Sequence, residues 1–285
     1  MLKLEPLCFC TNNVPGNDLE PALDMAVRCG FSFVELSAID GISEQISAEA
    51  VCPSYGAHIR RLLDAHGLRC FAVSGHCDMT DEHSFARLLK KIEFAGMVGA
   101  KYLNTRCGPP ERMETFCRNV RQAAALAAQY QITLNLESYG DIVGPASRCG
   151  DVFKMLQIPN LGYNYDPGNT FRFEHGQICI EEDLAAAAVP LEYIHLKDAS
   201  LHDGYIWNDP LGKGQLNYPA IIAQLDLQRS TPLPAGLEIP MTFRVRNDDL
   251  GFDFLTPALV EIEQAVRTSL QYLSRFAEFS LAAPQ

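Results

Sequence analysis

The 285-residue chain lacks any run of 18 apolar residues, so a membrane-spanning helix is not expected. Its first residues, MLKLEPLCFC, contain no basic region followed by a long apolar run, and we expect no signal peptide. Positive charge is scarce, because 23 Lys and Arg stand against 35 Asp and Glu, for a net charge of −12. A surface this negative repels phosphate backbones, which argues against nucleic acid as a partner.

Two sequence patterns are also missing. The ten cysteines are scattered between positions 8 and 179 without a CxxC pair, which predicts reduced thiols in a cytoplasmic protein rather than a disulfide framework. No GxGxxG motif follows the first predicted strand, which disfavours an open, doubly wound dinucleotide-binding sheet. Hydrophobic residues nevertheless make up 47% of the chain, enough for a large core.

What the chain does contain is a repeated unit of a short apolar run, a polar turn and a helical pattern. The predicted strands are residues 7–11, 33–36, 69–74, 101–105, 132–137, 161–165, 192–196 and 236–239. The predicted helices are residues 18–29, 48–66, 84–98, 111–129, 149–156, 181–188, 218–225 and 257–276. Strict alternation implies parallel strands, and eight such units predict an α/β fold, a (β/α)8 TIM barrel forming one domain over residues 1–285.

A titratable side chain ends each of the last four predicted strands. Because the chemistry of a TIM barrel lies at the carboxyl ends of its strands, these side chains should converge. Three carboxylates in one place repel one another, and a divalent cation relieves that repulsion. The set suits Mn²⁺, Mg²⁺, Co²⁺ or Zn²⁺; its members are Glu137, Asp166, His195 and Glu238. The alternative is four unrelated polar residues, each capping a following helix.

Three further residues at strand ends are candidate substrate contacts, namely His76, Arg106 and Lys197. The guanidinium of Arg106 suits a carboxylate or phosphate, although a salt bridge to Glu137 or Glu35 is the alternative. For Lys197 the alternative is an ion pair with its neighbour, Asp198.

Residues outside this set have weaker predicted roles. Glu35, at the end of the second strand, is expected to tie the barrel mouth together. Arg244 and Arg246 follow the last strand and could clamp an anion. Residues 200–214, which contain the single tryptophan, Trp207, could form a lid. The C-terminal residues, 280–285, are expected to fray.

The chain resembles the xylose-isomerase-like TIM barrels, the superfamily of sugar phosphate isomerases and epimerases and AP-endonuclease-2-like proteins. The resemblance covers nearly the whole chain. It rests on GFSFVEL, LNLES, YNYDPGNT, HLKD, PLGKGQLNYPAII and GLEI, in that order. It implies one metal ion held by Glu137, Asp166, His195 and Glu238. It also implies that Glu137 and Glu238 are the catalytic proton-transfer pair, on opposite faces of a bound sugar.

The activity implied by this resemblance is a metal-dependent isomerase or epimerase of a small ketose, keto-acid sugar or sugar phosphate. The ion would polarise a carbonyl and an adjacent hydroxyl and so stabilise an enediolate. A lyase or dehydratase resembling inosose dehydratase is the alternative, since it begins with the same proton abstraction. An AP endonuclease and a non-catalytic sugar-binding barrel are further alternatives.

The chain departs from the family pattern at one position close to the site. Related epimerases usually carry His three residues after the aspartate, where this chain has Asn169, a further candidate substrate contact. With Asn169 in place of this histidine, and with other histidines of the AP endonucleases also absent, too few ligands remain for the three-metal cluster of those enzymes. We expect a small-molecule sugar substrate, one divalent ion, and no nucleic-acid or membrane partner. A homo-oligomer, dimer or tetramer, is left open.

Overall fold

The computed structural model describes residues 1–281. Within these residues the strands are β1 (Lys3–Cys10), β2 (Phe33–Ser37), β3 (Arg69–Ser74), β4 (Tyr102–Thr105), β5 (Thr133–Glu137), β6 (Leu161–Tyr165), β7 (Tyr193–Leu196), β8 (Asp198–His202), β9 (Tyr205–Asp209), β10 (Leu233–Leu237), β11 (Phe243–Arg246), β12 (Phe252–Phe254) and β13 (Glu278–Phe279). The α-helices are α1 (Glu20–Arg28), α2 (Pro53–Ala65), α3 (Glu82–Val98), α4 (Met113–Gln129), α5 (Gly150–Leu156), α6 (Pro167–Phe173), α7 (Ile180–Ala185), α8 (Tyr218–Gln228) and α9 (Leu259–Leu273).

Eight parallel strands form a closed barrel, which confirms the predicted fold. Strands β1 to β7 are neighbours in chain order, and β10 pairs with β7 on one side and β1 on the other. Leu237 shows the closure, because it is in register with Leu196 of β7 and with Phe9 of β1. The carboxyl ends of all eight strands therefore open onto one face.

The helices cover the barrel with apolar stripes at helical spacing. In α4 the buried residues Phe116, Val120, Ala123 and Ala127 recur every three or four positions, as a helix packed on a sheet requires. Helix α3 begins where the carboxylate of Asp81 accepts the N–H of Ser84 and ends at Gly99, whose φ of 79° is left-handed. No helix within residues 1–281 has the length and apolar composition needed to cross a membrane.

A second sheet, which the sequence pattern does not predict, lies over the carboxyl-terminal face of the barrel. It consists of the antiparallel strands β8, β9, β11 and β12, contributed by the segments that follow β7 and β10. The segment predicted as a lid therefore lies in the β8–β9 hairpin. Of the predicted C-terminal tail, residues 282–285 lie outside the described part of the chain.

Two elements at the site differ from their predicted bounds. The eighth barrel strand is Leu233–Leu237 rather than 236–239, so Glu238 lies just beyond its end. Helix α6 directly follows Asp166, in a segment for which no helix is predicted. Asp166 caps this helix, since its Oδ1 accepts the N–H of Asn169 at 2.9 Å.

Candidate active site

The four predicted metal ligands meet at the carboxyl-terminal end of the barrel, around the imidazole of His195. Its Nδ1 lies 3.1 Å from Glu137 Oε2, 3.1 Å from Glu238 Oε2 and 3.8 Å from Asp166 Oδ2. All four side chains are buried. They come together because β5, β6, β7 and β10 end side by side in the closed barrel.

Two amides hold the carboxylate of Glu137 in place. Asn164 Nδ2 donates to Oε2 and Asn169 Nδ2 donates to Oε1, each at 2.7 Å. Asn169, predicted as a substrate contact, lines the cavity and fixes a candidate ligand by this hydrogen bond. The hydrogen bonds leave Glu137 beside His195 in a defined orientation.

Glu35 contacts the other ring nitrogen of His195. Its Oε1 and Oε2 lie 3.1 and 3.2 Å from Nε2, and Asn104 Nδ2 donates to Oε1 at 2.8 Å. A carboxylate in this position sets the ring orientation of a metal-binding histidine, so Glu35 does tie the barrel mouth together. Cys10 Sγ also lies beside Glu35, at 3.7 Å, but burial raises the pKa of this thiol, which disfavours a thiolate ligand.

Lys197 bridges two of the candidate ligands. Its Nζ lies 2.9 Å from Asp166 Oδ2 and 3.0 Å from Glu238 Oε2. The alternative ion pair with Asp198 is wrong, because Asp198 instead accepts backbone N–H groups of the turn at 212–216. The ammonium of Lys197 is thus fully buried within the site.

Burial and neighbouring charges shift the pKa values of these groups in different directions. Burial raises the pKa of Glu137 to about 7; His195 opposes this, while Asp166 and Glu238 add to it. Burial alone would also raise the pKa of Asp166, but the nearby Lys197 ammonium and His195 lower it below its usual value. Burial would lower the pKa of Lys197, yet Asp166, Glu238 and Glu137 together raise it. Without a bound cation, the Glu137 carboxylate therefore takes up a proton more readily than a free glutamate does.

The donor set fits a divalent cation. Glu137, Asp166 and His195 offer ligand atoms within 4.8 Å of one another. Separations near 3.1 Å between donors match ligands that surround an ion at about 2.1 Å. Glu238 Oε2 is buried and accepts no hydrogen bond of good geometry, although Lys197 and His195 lie close by.

Charge supports the same conclusion. Four buried carboxylates directly contact only two cationic side chains, and a divalent ion would neutralise the excess. The carboxylates belong to Glu35, Glu137, Asp166 and Glu238, and the cations to His195 and Lys197.

A narrow cavity lies above the cluster, closed on its outer side by the second sheet. Phe243 of β11 and Phe252 of β12 form part of its wall, together with Ile39 and Ile42. Its volume is about 30 Å³, room for water but not for a sugar. A molecule larger than water could reach the cluster only if this cavity widened.

The predicted lid tryptophan is not part of this wall. Trp207 stacks on His202, with ring centroids 5.3 Å apart, and lies beside Arg244. The second sheet covers the cavity with phenylalanines from β11 and β12 instead.

Of the other two predicted substrate contacts, His76 lies beside the cluster and Arg106 lies farther away. His76 lines the cavity, with Nε2 3.4 Å from Glu137 Oε2, and burial lowers its pKa so that the ring is neutral. Arg106 is half-buried with Cζ 5.4 Å from the Tyr139 ring centroid; within residues 1–281 it forms neither alternative salt bridge. It lies outside the cavity wall, beside Tyr139.

The predicted anion clamp after the last strand is wrong. Arg244 pairs with Asp253 at 3.6 Å, and Arg246 pairs with Asp249 and Asp253. The charges of these arginines are therefore neutralised within the second sheet, by Asp249 of the following turn and Asp253 of β12.

Sequence reasoning missed Arg172 and Tyr139, which line the cavity. Arg172 lies in α6, and Tyr139 follows the strand-end Glu137 by two residues. Neither residue directly follows a barrel strand, so a search for functional side chains at strand ends does not find them.

Fold and cluster together define a TIM barrel with a candidate metal centre at its carboxyl-terminal face. The sequence profile of the family described as xylose isomerase-like TIM barrel matches residues 23–273, and the chain belongs to this family. No curated protein matches the sequence.

Solved structures share the fold at low sequence identity. D-allulose 3-epimerase from Methylomonas sp. aligns at 16% identity and a TM-score of 0.68, covering 96% of this chain and 99% of the other. A xylose isomerase-like TIM barrel protein from Mycobacterium smegmatis, in complex with magnesium, aligns at 18% and 0.66, covering 93% and 97%. The probable 3-DHS dehydratase AsbF from Bacillus anthracis aligns at 14% and 0.66, covering 94% and 98%.

Proposed function

We propose that the protein is a metal-dependent isomerase or epimerase that moves a proton on a small ketose, keto-acid sugar or sugar phosphate. The observation that carries this proposal is the convergence of Glu137, Asp166 and Glu238 on Nδ1 of His195, beneath a closed cavity. The epimerase among the structures of the same fold supports it.

Glu137, Asp166, His195 and Glu238 would hold the ion. A divalent ion in this position supplies Lewis acidity toward a substrate carbonyl and its neighbouring hydroxyl, which acidifies the C–H bond between them. Magnesium in a structure of the same fold supports such a site.

Two carboxylates in the cavity wall would carry the proton. Glu137 ends β5 and Glu238 follows β10, so they reach the cavity from separate strands. One carboxylate removes the proton and the other returns it, to the opposite face or to the adjacent carbon. The phenylalanines of the second sheet surround the cavity with apolar side chains, which limits side reactions with bulk water.

A dehydratase is the second candidate, and Lys197 is the observation that favours it. Its buried ammonium lies 3.0 Å from Glu238 Oε2. An ammonium beside a proton acceptor could stabilise the negative charge that develops on a hydroxyl as it leaves after C–H cleavage. AsbF shows that the fold occurs among proteins described as dehydratases.

Solvent isotope exchange separates these functions. The purified protein, supplied in turn with Mg²⁺, Mn²⁺, Co²⁺ and Zn²⁺, is incubated in D₂O with ketoses, keto-acid sugars and their phosphates. We expect deuterium on a carbon next to the carbonyl, without new ultraviolet absorbance. A rising absorbance of an α,β-unsaturated carbonyl would identify the dehydratase instead. Absence of both with every ion, or incision of abasic DNA, would contradict the proposal.

A further inference from the structure

Arg172 has a buried guanidinium in the wall of the active-site cavity. It lies near the end of α6, six residues after Asp166, and is only 5% exposed. Glu137, Tyr139 and Lys197 line the same cavity. A substrate bound in this cavity would therefore lie close to the positive charge of Arg172.

No side chain among the described residues hydrogen-bonds Nε or Nη2 of this guanidinium. Its Nε and Nη2 are buried without a hydrogen-bond partner, and no carboxylate within residues 1–281 pairs with it. Its Cζ lies 4.4 Å from the ring centroid of Phe173, 5.1 Å from Tyr139 and 5.7 Å from Phe252. Aromatic faces attract a cation, but they accept none of its in-plane hydrogen bonds.

Two arginines elsewhere in the chain, by contrast, are paired with carboxylates. Arg87 contacts Asp40 at 2.8 Å, and Arg267 contacts Glu263 at 2.8 Å. A buried charge without a partner is costly, and a protein retains one where a ligand supplies the missing partner. Arg172 is thus unpaired beside the one cavity that already contains a candidate reaction centre.

The two unsatisfied atoms identify the ligand. Nε and Nη2 are on one edge of the planar guanidinium, and their N–H bonds match the two oxygens of a carboxylate. Resting on the proposed function, we propose that the substrate is a ketose acid whose carboxylate binds Arg172. Two N–H groups on one edge match the two oxygens of a carboxylate, whereas a phosphate carries a third oxygen that this edge does not reach.

Arg106 adds to this preference from outside the cavity wall. Its guanidinium lies 5.4 Å from the same Tyr139 ring. Within residues 1–281 it has no carboxylate partner in an ion pair. Its positive charge therefore strengthens the attraction for an anionic group bound near Tyr139.

A matched set of ligands tests the proposal by binding alone. D-Fructose, D-fructuronate and D-fructose 6-phosphate differ only at carbon 6, and the D-tagatose series supplies a second trio. Calorimetric titration of the full-length protein in Mg²⁺ should show that an acid binds at least ~10-fold more tightly than its parent ketose. Arg172→Met should bring this ratio close to 1, and Arg172→Lys should only partly preserve it. Arg246→Met, which removes a paired arginine of the second sheet, should leave the ratio unchanged.

Three outcomes would overturn the proposal. The first is a wild-type ratio near 1 in both series, a result that needs no variant to fold. The second is tightest binding of the phosphates. The third is an equal loss of acid and ketose affinity in Arg172→Met, which would show a structural role. Because affinity is measured without turnover, an Arg172-dependent ratio would stand even if the isotope-exchange test failed.

Discussion

Both carboxylate oxygens of Glu35 lie against Nε2 of His195, at 3.1 and 3.2 Å. This contact turns Nδ1, the opposite ring nitrogen, toward Glu137 and Glu238. A residue of β2, across the barrel from β5 and β6, thereby sets the orientation of a candidate ligand on β7.

We predict that Glu35→Gln weakens Mn²⁺ binding by about 10- to 100-fold, because the amide holds the ring less firmly and no longer raises its basicity. Titration calorimetry measures the change. Glu5→Gln is the matched control, since Glu5 is exposed near the amino-terminal end of β1, away from the site. Equal Mn²⁺ affinity in the Glu35 variant and the control would show that Glu35 has no role in metal binding.

Replacing either proposed proton carrier should slow turnover. Glu137→Gln and Glu238→Gln are each expected to lower kcat by at least ~100-fold, the usual scale for loss of a general acid or base. The rates are measured at saturating Mn²⁺, so that weaker metal binding does not account for the loss. Wild-type rates in both variants would refute the assignment.

A single methyl group at Gly236 should disturb the site from within the barrel. A Cβ there would lie 2.6 Å from Cys10 Sγ and 2.8 Å from Glu35 Oε2, so Glu35 would have to move. We expect Gly236→Ala to destabilise the fold by about 1–3 kcal/mol and to weaken Mn²⁺ binding. Gly144→Ala, which meets no atom within 4 Å, should change neither. Chemical denaturation and metal titration distinguish the two variants, and equal behaviour would count against the packing argument.

Thiol reactivity should follow position in the fold. All ten cysteines are free; Cys52 and Cys179 are exposed, Cys117 is partly buried and the others are buried or nearly so. The hydroxyl of Ser54 lowers the pKa of Cys52 at the start of α2, whereas partial desolvation and the nearby Glu181 raise that of Cys179.

Iodoacetamide at pH 7.5 should therefore modify Cys52 at least ~3-fold faster than Cys179, because the thiolate is the reactive form. Peptide mass spectrometry measures both rates. Most of the remaining thiols should react only after unfolding. Early modification of Cys77 or Cys107, both buried, would contradict the packing described above.

The barrel and the candidate ligand set at its mouth are predictable from sequence because both depend on local patterns. Each barrel strand is a short apolar run, and the fold places every strand end on one face. Glu137, Asp166, His195 and Glu238 are found by that rule alone. Helix α6 is not predicted, because the sequence pattern identifies Asp166 only as the end of a strand, although Asp166 and Pro167 form a helix start.

Other features depend on contacts between distant segments. Val245 of β11 pairs with Ile206 of β9, about forty residues earlier, and strands this short leave little periodic signal. The isolation of Arg172 is likewise a tertiary property, since it depends on which side chains pack around α6. Only coordinates show that it is buried without a carboxylate partner.

Titration with Mn²⁺ shows whether these four side chains form a metal site. We expect one ion for each wild-type chain and at least a ~100-fold loss of affinity in His195→Ala, because the imidazole lies at the centre of the donor set. Absence of binding by the wild-type protein, or equal affinity in His195→Ala, would contradict the proposed metal site.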